Sequence, residues 1–244
     1  PYNDVSRCTT AIRVNRRFRL LFPNFGNLKS MHISAAELET IVKKAVIGAG
    51  APYGTGKEIG TAALALSNQN IDPSPVVALV LEGLKGHEVG QFHLGDAIHG
   101  HFVPTGSHIS TILAGPSICD LLASGQDTVI TQSLDSPLLA IALIAARSLN
   151  AEIHDTAGNL QSVRCKDGEF TIAKEEISSW CHTADIKFCS LPDRGATKHK
   201  QTNRAIEVND VCWQDIVNFA AKCLVSNSEA SRVKDAGAGL VDED

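Results

Sequence analysis

Two stretches of this chain carry residue types that can do chemistry. The first is Gly48-Ala49-Gly50-Ala51-Pro52-Tyr53-Gly54-Thr55-Gly56-Lys57. Backbone amides at the start of a helix, a hydroxyl and an ammonium can together hold a carboxylate or phosphate. Gly50, Gly54, Thr55 and Lys57 are therefore candidate anion ligands. Arg232 joins them as a fork for a substrate carboxylate, with the tail behind it as a lid. Two nucleotide motifs nearly fit this loop, and both fail. A phosphate loop needs a hydroxyl after its lysine, and Glu58 stands there. A dinucleotide fingerprint needs a third glycine where Tyr53 sits, and both motifs need a preceding strand. The plainer reading is a helix–helix corner whose glycines supply positive φ.

The second stretch is histidine-rich. His87, His93, Asp96, His99, His101 and His108 fall within 22 residues. His99 and His101 are one residue apart, so a strand would place both imidazoles on one face. His93, His99 and His101 suffice in number for a catalytic divalent metal, which keeps three protein ligands and a water. His99, His101 and Asp96 are the candidate catalytic groups. Asp96 to His101 is superficially similar to the first metal-ligand strand of the amidohydrolases. The further ligands that family needs are not found downstream, where only His154, His182 and His199 follow. The competing reading is a solvated loop whose histidines bond to backbone. Cys165, Cys181, His182 and Cys189 also lie close in sequence. Cys181 and His182 would face opposite ways on a strand, so these cysteines read as buried thiols.

These residues need elements to hold them. Ser34 and Glu37 form a capping box. Leu38, Ile41, Val42, Ala45 and Val46 then recur at helical spacing, predicting a helix over 35–48. Thr55 is expected to cap a second helix, and Asp72-Pro73 to open a third that ends at Gly86. Residues 86–108 read as loop with one short helix or strand. Ile109 to Leu113 reads as a strand, broken by Gly115-Pro116 before a helix through Leu122. Thr128 to Thr131 is a strand. Leu138 to Leu149 is apolar on both faces and belongs at the centre of the core. Beyond Asn150, the runs 151–154, 161–165 and 169–172 alternate with turns, as an antiparallel meander does. Strands over 186–191 and 205–208 and a helix from Asp210 or Gln214 complete the chain. The loop 192–203 is polar. The expected fold is α+β: a helical N-terminal layer, then a small antiparallel sheet with helices packed on it.

Composition narrows the function classes. The chain has 244 residues, 43% hydrophobic and 20% charged, with a net charge of −5. Such a balance argues against nucleic-acid binding through bulk charge, and 2 Trp, 2 Tyr and 8 Phe leave little for stacking on bases. No run is long and apolar enough to span a membrane. Seven cysteines without CxxC spacing fit a cytoplasmic, reducing compartment.

Residues 1–30 stand apart. Arg7, Arg13, Arg16, Arg17, Arg19 and Lys29 face one acid, Asp4. The sole methionine, Met31, directly precedes the first capping signal. This segment is expected to be a disordered upstream extension rather than part of the native fold, an organellar transit peptide being the alternative. The expected domain spans 31–225, and 226–244 a flexible Gly/Ala/acidic tail.

Three motifs carry a resemblance. They are the helix running into Gly48-Ala49-Gly50 and Tyr53-Gly54, the segment Gly115-Pro116 to Asp120, and the tail Ser231-Arg232 with Gly237-Ala238-Gly239. With them the chain resembles an uncharacterised bacterial family, domain of unknown function 3726. It departs from that pattern at Leu240 and in its last three residues, Asp242-Glu243-Asp244. The resemblance implies no activity. The functional expectation is a small-molecule enzyme or accessory subunit acting on an anionic metabolite. The alternatives are a non-catalytic ligand-binding or subunit-interaction protein with structural histidines, and a metal-dependent hydrolase using the His93–His101 cluster.

Overall fold

A computed structural model of the chain describes residues 29–84, 92–96 (backbone only), 100–192 and 205–223. Of the expected extension over 1–30, residues 1–28 lie outside the described residues, as does the tail from 226, while Ser30 begins the first strand. The elements run β1 (Ser30–Ile33), α1 (Ala35–Gly48), α2 (Tyr53–Asn68), α3 (Ser74–Leu84), β2 (Phe92–Asp96), β3 (His101–Pro104), α4 (Thr111–Ala123), β4 (Thr128–Leu134), α5 (Pro137–Ala146), β5 (Ala151–Asp155), β6 (Val163–Cys165), α6 (Ile177–Trp180), β7 (Ala184–Ser190), β8 (Ile206–Asn209) and α7 (Asp210–Ala221). The fold is α+β, with a helical layer leading into a sheet on which helices pack.

The sheet has six strands in the order β2-β3-β4-β7-β5-β6, and β1 pairs with β8 in a separate two-stranded ribbon. One face of the sheet is buried: Val129 and Thr131 of β4, Ile186 and Phe188 of β7, Ala151 and Ile153 of β5, Val163 and Cys165 of β6. The period-2 spacing of these residues is what puts them on one side. Against the helical layer lies α5, buried at every residue from Pro137 to Ala145. Its uniformly apolar sequence has no face to offer water, so it sits at the centre.

The first helix follows its sequence signal closely. Ser34 Oγ accepts from the Glu37 amide at 3.1 Å, and Leu38, Val42, Ala45 and Val46 are buried. The glycines after it have a packing role. A Cβ at Gly56 would lie 2.8 Å from the Lys43 carbonyl oxygen, and one at Gly60 would lie 2.9 Å from that of Glu39. Both are closer than real contacts allow, so α1 and α2 pack backbone to backbone. Gly48 does the same against α7, where a Cβ would collide with the Phe219 carbonyl oxygen.

Several expected elements differ. Pro52, with φ of −56°, precedes α2, which starts at Tyr53; Thr55 lies inside the first turn and its amide donates to the Pro52 carbonyl at 3.1 Å. Ile109 to Leu113 is not a strand. Ile109 makes only an isolated bridge to Leu134, and α4 begins at Thr111. The reason is a distant partner: the Asp135 carboxylate accepts from the Thr111 amide at 2.8 Å and satisfies a free helix-start donor. Pro116 lies within α4 rather than at its start, and the helix is held by burial on both sides of it. Residues 86–108 contain two strands, β2 and β3. Glu169 makes one bridge to Lys166 and the expected strand over 169–172 is absent. The sheet is not wholly antiparallel, because β3 runs parallel to β4.

Gly48→Ala tests the closest backbone contact. In an exposed helix interior the change would gain up to about 1 kcal/mol. Here the added methyl meets the α7 backbone, and the expected net result is a loss of about 1–3 kcal/mol, read as a lower Tm. A Tm equal to or above that of the parent would refute the close approach.

Candidate functional site

The sequence nominated a corner and a histidine cluster, and the structure places each. Gly50 takes φ of +99° in the α1–α2 turn, the left-handed region that favours glycine. Gly54 and Thr55 lie in the first turn of α2, with Lys57 exposed one turn further. The four residues therefore share one corner. Tyr53 is 72% exposed beside them, with the Lys43 ammonium 4.9 Å from its ring centroid. Arg232, the fifth candidate, lies outside the described residues.

Of the histidine cluster, His101 begins β3, with Asp96 opposite it in the β2–β3 register and His93 opposite Val103. His87, His99 and the side chains of His93 and Asp96 lie outside the described residues. Among the described residues, no three His, Cys, Asp or Glu side chains come together as a metal site. The six described cysteines are free. Burial pushes the thiols of Cys119, Cys181 and Cys212 up to about 12, so none of these is a thiolate nucleophile at neutral pH. Cys181 and His182 lie at and just after the end of α6, not on a strand.

A cleft lies elsewhere. Its volume is about 780 Å³, and it opens between the β1–β8 ribbon, the C-terminal end of α2, the start of α3 and the segment 170–181. Its walls are fixed by local chemistry. Asn70, with φ of +59°, closes α2, and the Ile71 amide donates back to the Leu66 carbonyl at 3.0 Å. Asp72 then joins three elements. Its Oδ1 accepts from the Ser74 amide and from the Ser74 hydroxyl, both at 2.8 Å, which starts α3. Its Oδ2 accepts from the Asn209 amide at 2.9 Å. Asn209 in turn caps α7, its Oδ1 accepting from the Cys212 amide at 3.0 Å. One carboxylate thus pins the floor of the cleft to its ribbon wall.

The electrostatics of the cleft are mixed. Burial holds the Asp72 carboxyl above its ordinary value, against the lowering effect of the Ser74 and Asn209 hydrogen bonds, and the Glu207 charge adds to the rise. Ser30 Oγ donates to Glu207 Oε1 at 2.6 Å. An imidazole and an ammonium line the rim, His32 from β1 and Lys174 from the segment before α6, and both residues are exposed. Val76, Leu138 and Phe170 supply the apolar wall. Fixed polar groups, an apolar wall, a rim ammonium and a rim imidazole can orient a small organic molecule with an anionic end.

No family model matches this chain, and no curated protein or solved structure does either. In the sequence Asp72 marks only a helix start. Its partner Asn209 lies 137 positions away, and no local signal joins them. His32 and Lys174 carried no signal at all, since an isolated histidine in a strand and a lysine in a turn are commonplace.

Asp72 makes the stability depend on pH. Its folded pKa lies above the unfolded one, so the native state holds the proton more tightly. The contribution is fully present below the ordinary 3.8 and is lost as pH rises through the folded value. Asp72→Asn removes this component and one acceptor. The variant should be less stable throughout, by about 1–3 kcal/mol. Its denaturation midpoint should also fall less steeply than the parent's as pH is raised from acid to neutral. Parallel pH profiles would overturn this assignment.

Proposed function

We propose that this protein binds a small organic molecule in the cleft, with an anionic group of that molecule against Lys174 and His32. The observation that supports this most is the cleft itself. Its volume of about 780 Å³ falls within the range of ligand sites, roughly 300–1,000 Å³. Its walls come from α2, α3 and a strand ribbon joined through Asp72, so the cavity is built before any ligand arrives. Preorganisation of this kind lowers the entropic cost of binding.

Ligand binding is the function this geometry favours, and an enzyme acting on an anionic metabolite is the same reading with a reacting group added. The metal-dependent hydrolase reading rests on His93, His99 and His101, and draws no support from the described residues. The corner formed by Gly50, Gly54, Thr55 and Lys57 remains a candidate for a second, weaker anion contact. A cytoplasmic setting accords with the six described free thiols. Among the described residues, no helix is long and apolar enough to cross a membrane.

The test is a thermal-shift panel of small carboxylic acids and phosphate esters on the whole chain. A ligand at a hundred times its Kd stabilises by about 2.7 kcal/mol, a readily measured rise in Tm. Thr171→Trp places a large ring at the exposed rim and should abolish the shift. Lys174→Glu should weaken it at least tenfold in ligand concentration. A ligand that stabilises the parent and both variants equally binds elsewhere, and that result would remove the cleft as the site.

A further inference from the structure

The ribbon wall of the cleft carries groups of both kinds, and the strand register sets them side by side. β1 and β8 pair antiparallel, with Ser30 opposite Asn209 and His32 opposite Glu207. All four residues line the cleft. Alternate residues of a strand share a face, and directly opposite residues share it too, with Cβ atoms about 4.5–5.5 Å apart. An imidazole and a carboxylate are therefore immediate neighbours on this wall.

The two carboxylates of the cleft differ in what they have left to offer. Asp72 accepts from the Ser74 amide, the Ser74 hydroxyl and the Asn209 amide, so both of its oxygens are engaged in holding the fold. Glu207 is exposed, and its Oε1 accepts from the Ser30 hydroxyl at 2.6 Å. That bond orients the carboxylate, and among the described residues Oε2 has no hydrogen-bond partner. Among the same residues, Glu207 forms no ion pair with His32 or with Lys174. An anion set against His32 would lie beside the Glu207 charge and be repelled by it. A ligand that carries an ammonium next to its anionic group removes that repulsion and supplies Oε2 with a donor.

We propose that the cleft selects apolar α-amino acids. The proposal rests on the reading of the cleft as a ligand site with its anionic end at Lys174 and His32. The amino-acid carboxylate takes that place, and its ammonium donates to Glu207 Oε2. Both charged groups of an α-amino acid are borne on one carbon, which suits two wall groups that are cross-strand neighbours. Hydrogen bonds with an ionised donor and acceptor are about twice as strong as neutral ones. The side chain lies against Val76, Leu138 and Phe170, the apolar wall of the same cleft.

The test compares matched probes on the whole chain by thermal shift. L-phenylalanine is set against hydrocinnamate, which lacks the ammonium, and phenethylamine, which lacks the carboxylate. L-leucine is set against isocaproate and isoamylamine in the same way. At least one of the two amino acids should raise the Tm, and its single-charge analogues should need at least tenfold higher concentration for an equal rise. Glu207→Gln keeps an acceptor for Ser30 and removes the charge. It should weaken the amino acid at least tenfold and leave the des-amino acid as effective as before, or more so. The parent with the six probes decides the matter even where that variant does not fold. Hydrocinnamate or isocaproate matching its amino acid on the parent would overturn the amino-acid assignment and leave the anion-binding cleft standing. So would stabilisation by other carboxylic acids or phosphate esters with none from either amino acid. An amino acid that stabilises Glu207→Gln as well as the parent would remove Glu207 as the ammonium site. No stabilisation by any acid, ester or amino acid would sink both readings together.

Discussion

The structure depends on covering one helix that has no polar side. Between Pro137 and Ala145 every residue of α5 is buried. Leu138, Leu139, Ile141, Leu143 and Ile144 each contribute about 2 kcal/mol on removal from water. No single neighbour can cover such a helix. It packs with α2 and α4 on the helical side, and the sheet closes over it, with the Cys165 thiol reaching the Ile141 carbonyl at 3.7 Å. Gly115 is part of the same constraint. A Cβ there would strike the Leu143 Cδ1, and the Leu143 side chain would have to shift to admit it.

Burying the centre this completely forces polar groups at its edges into fixed partnerships. Asp72 and Asp135 are the two clearest cases. Asp72 accepts from the start of α3 and from the remote Asn209, Asp135 from the remote start of α4, and burial raises each carboxyl's proton affinity despite those bonds. Asp135 also feels the charge of His108, which partly opposes the rise. Arg147, just past α5, plays a weaker part at the surface. It donates to Asp120 and to Glu58, both at 2.5 Å, linking α5 to α4 and α2. Asp120 is 71% exposed, so solvent screens that pair and it adds less than about 1 kcal/mol. Asp72 positions the cleft, and the exposed bridge only trims the helix packing.

Much of this was legible where a signal is local. Ser34 and Glu37 marked the start of α1, the unbroken apolar run marked α5, and the turns near Gly158 and Gly168 marked the β5–β6 region. Signals failed where a remote residue decided. The β-branched run from Ile109 looked like a strand, yet Asp135 turned it into a helix start. Gly56 looked like loop chemistry, yet it is a contact point between two helix backbones. The candidate sites suffered most. The glycine corner and His101 were visible because glycine and histidine stand out in a sequence. The cleft was not, because Asp72, Lys174 and His32 become a site only through the fold that gathers them.

The sequence by itself determined the α+β class, the central helix and the capped start of α1, because each follows from residue spacing and nearest-neighbour hydrogen bonding. Tertiary structure alone decided the strand order, the parallel pairing of β3 with β4, and the bond of Asp72 to Asn209. These depend on contacts across tens of residues, where the closing of the chain around α5 outweighs any local preference.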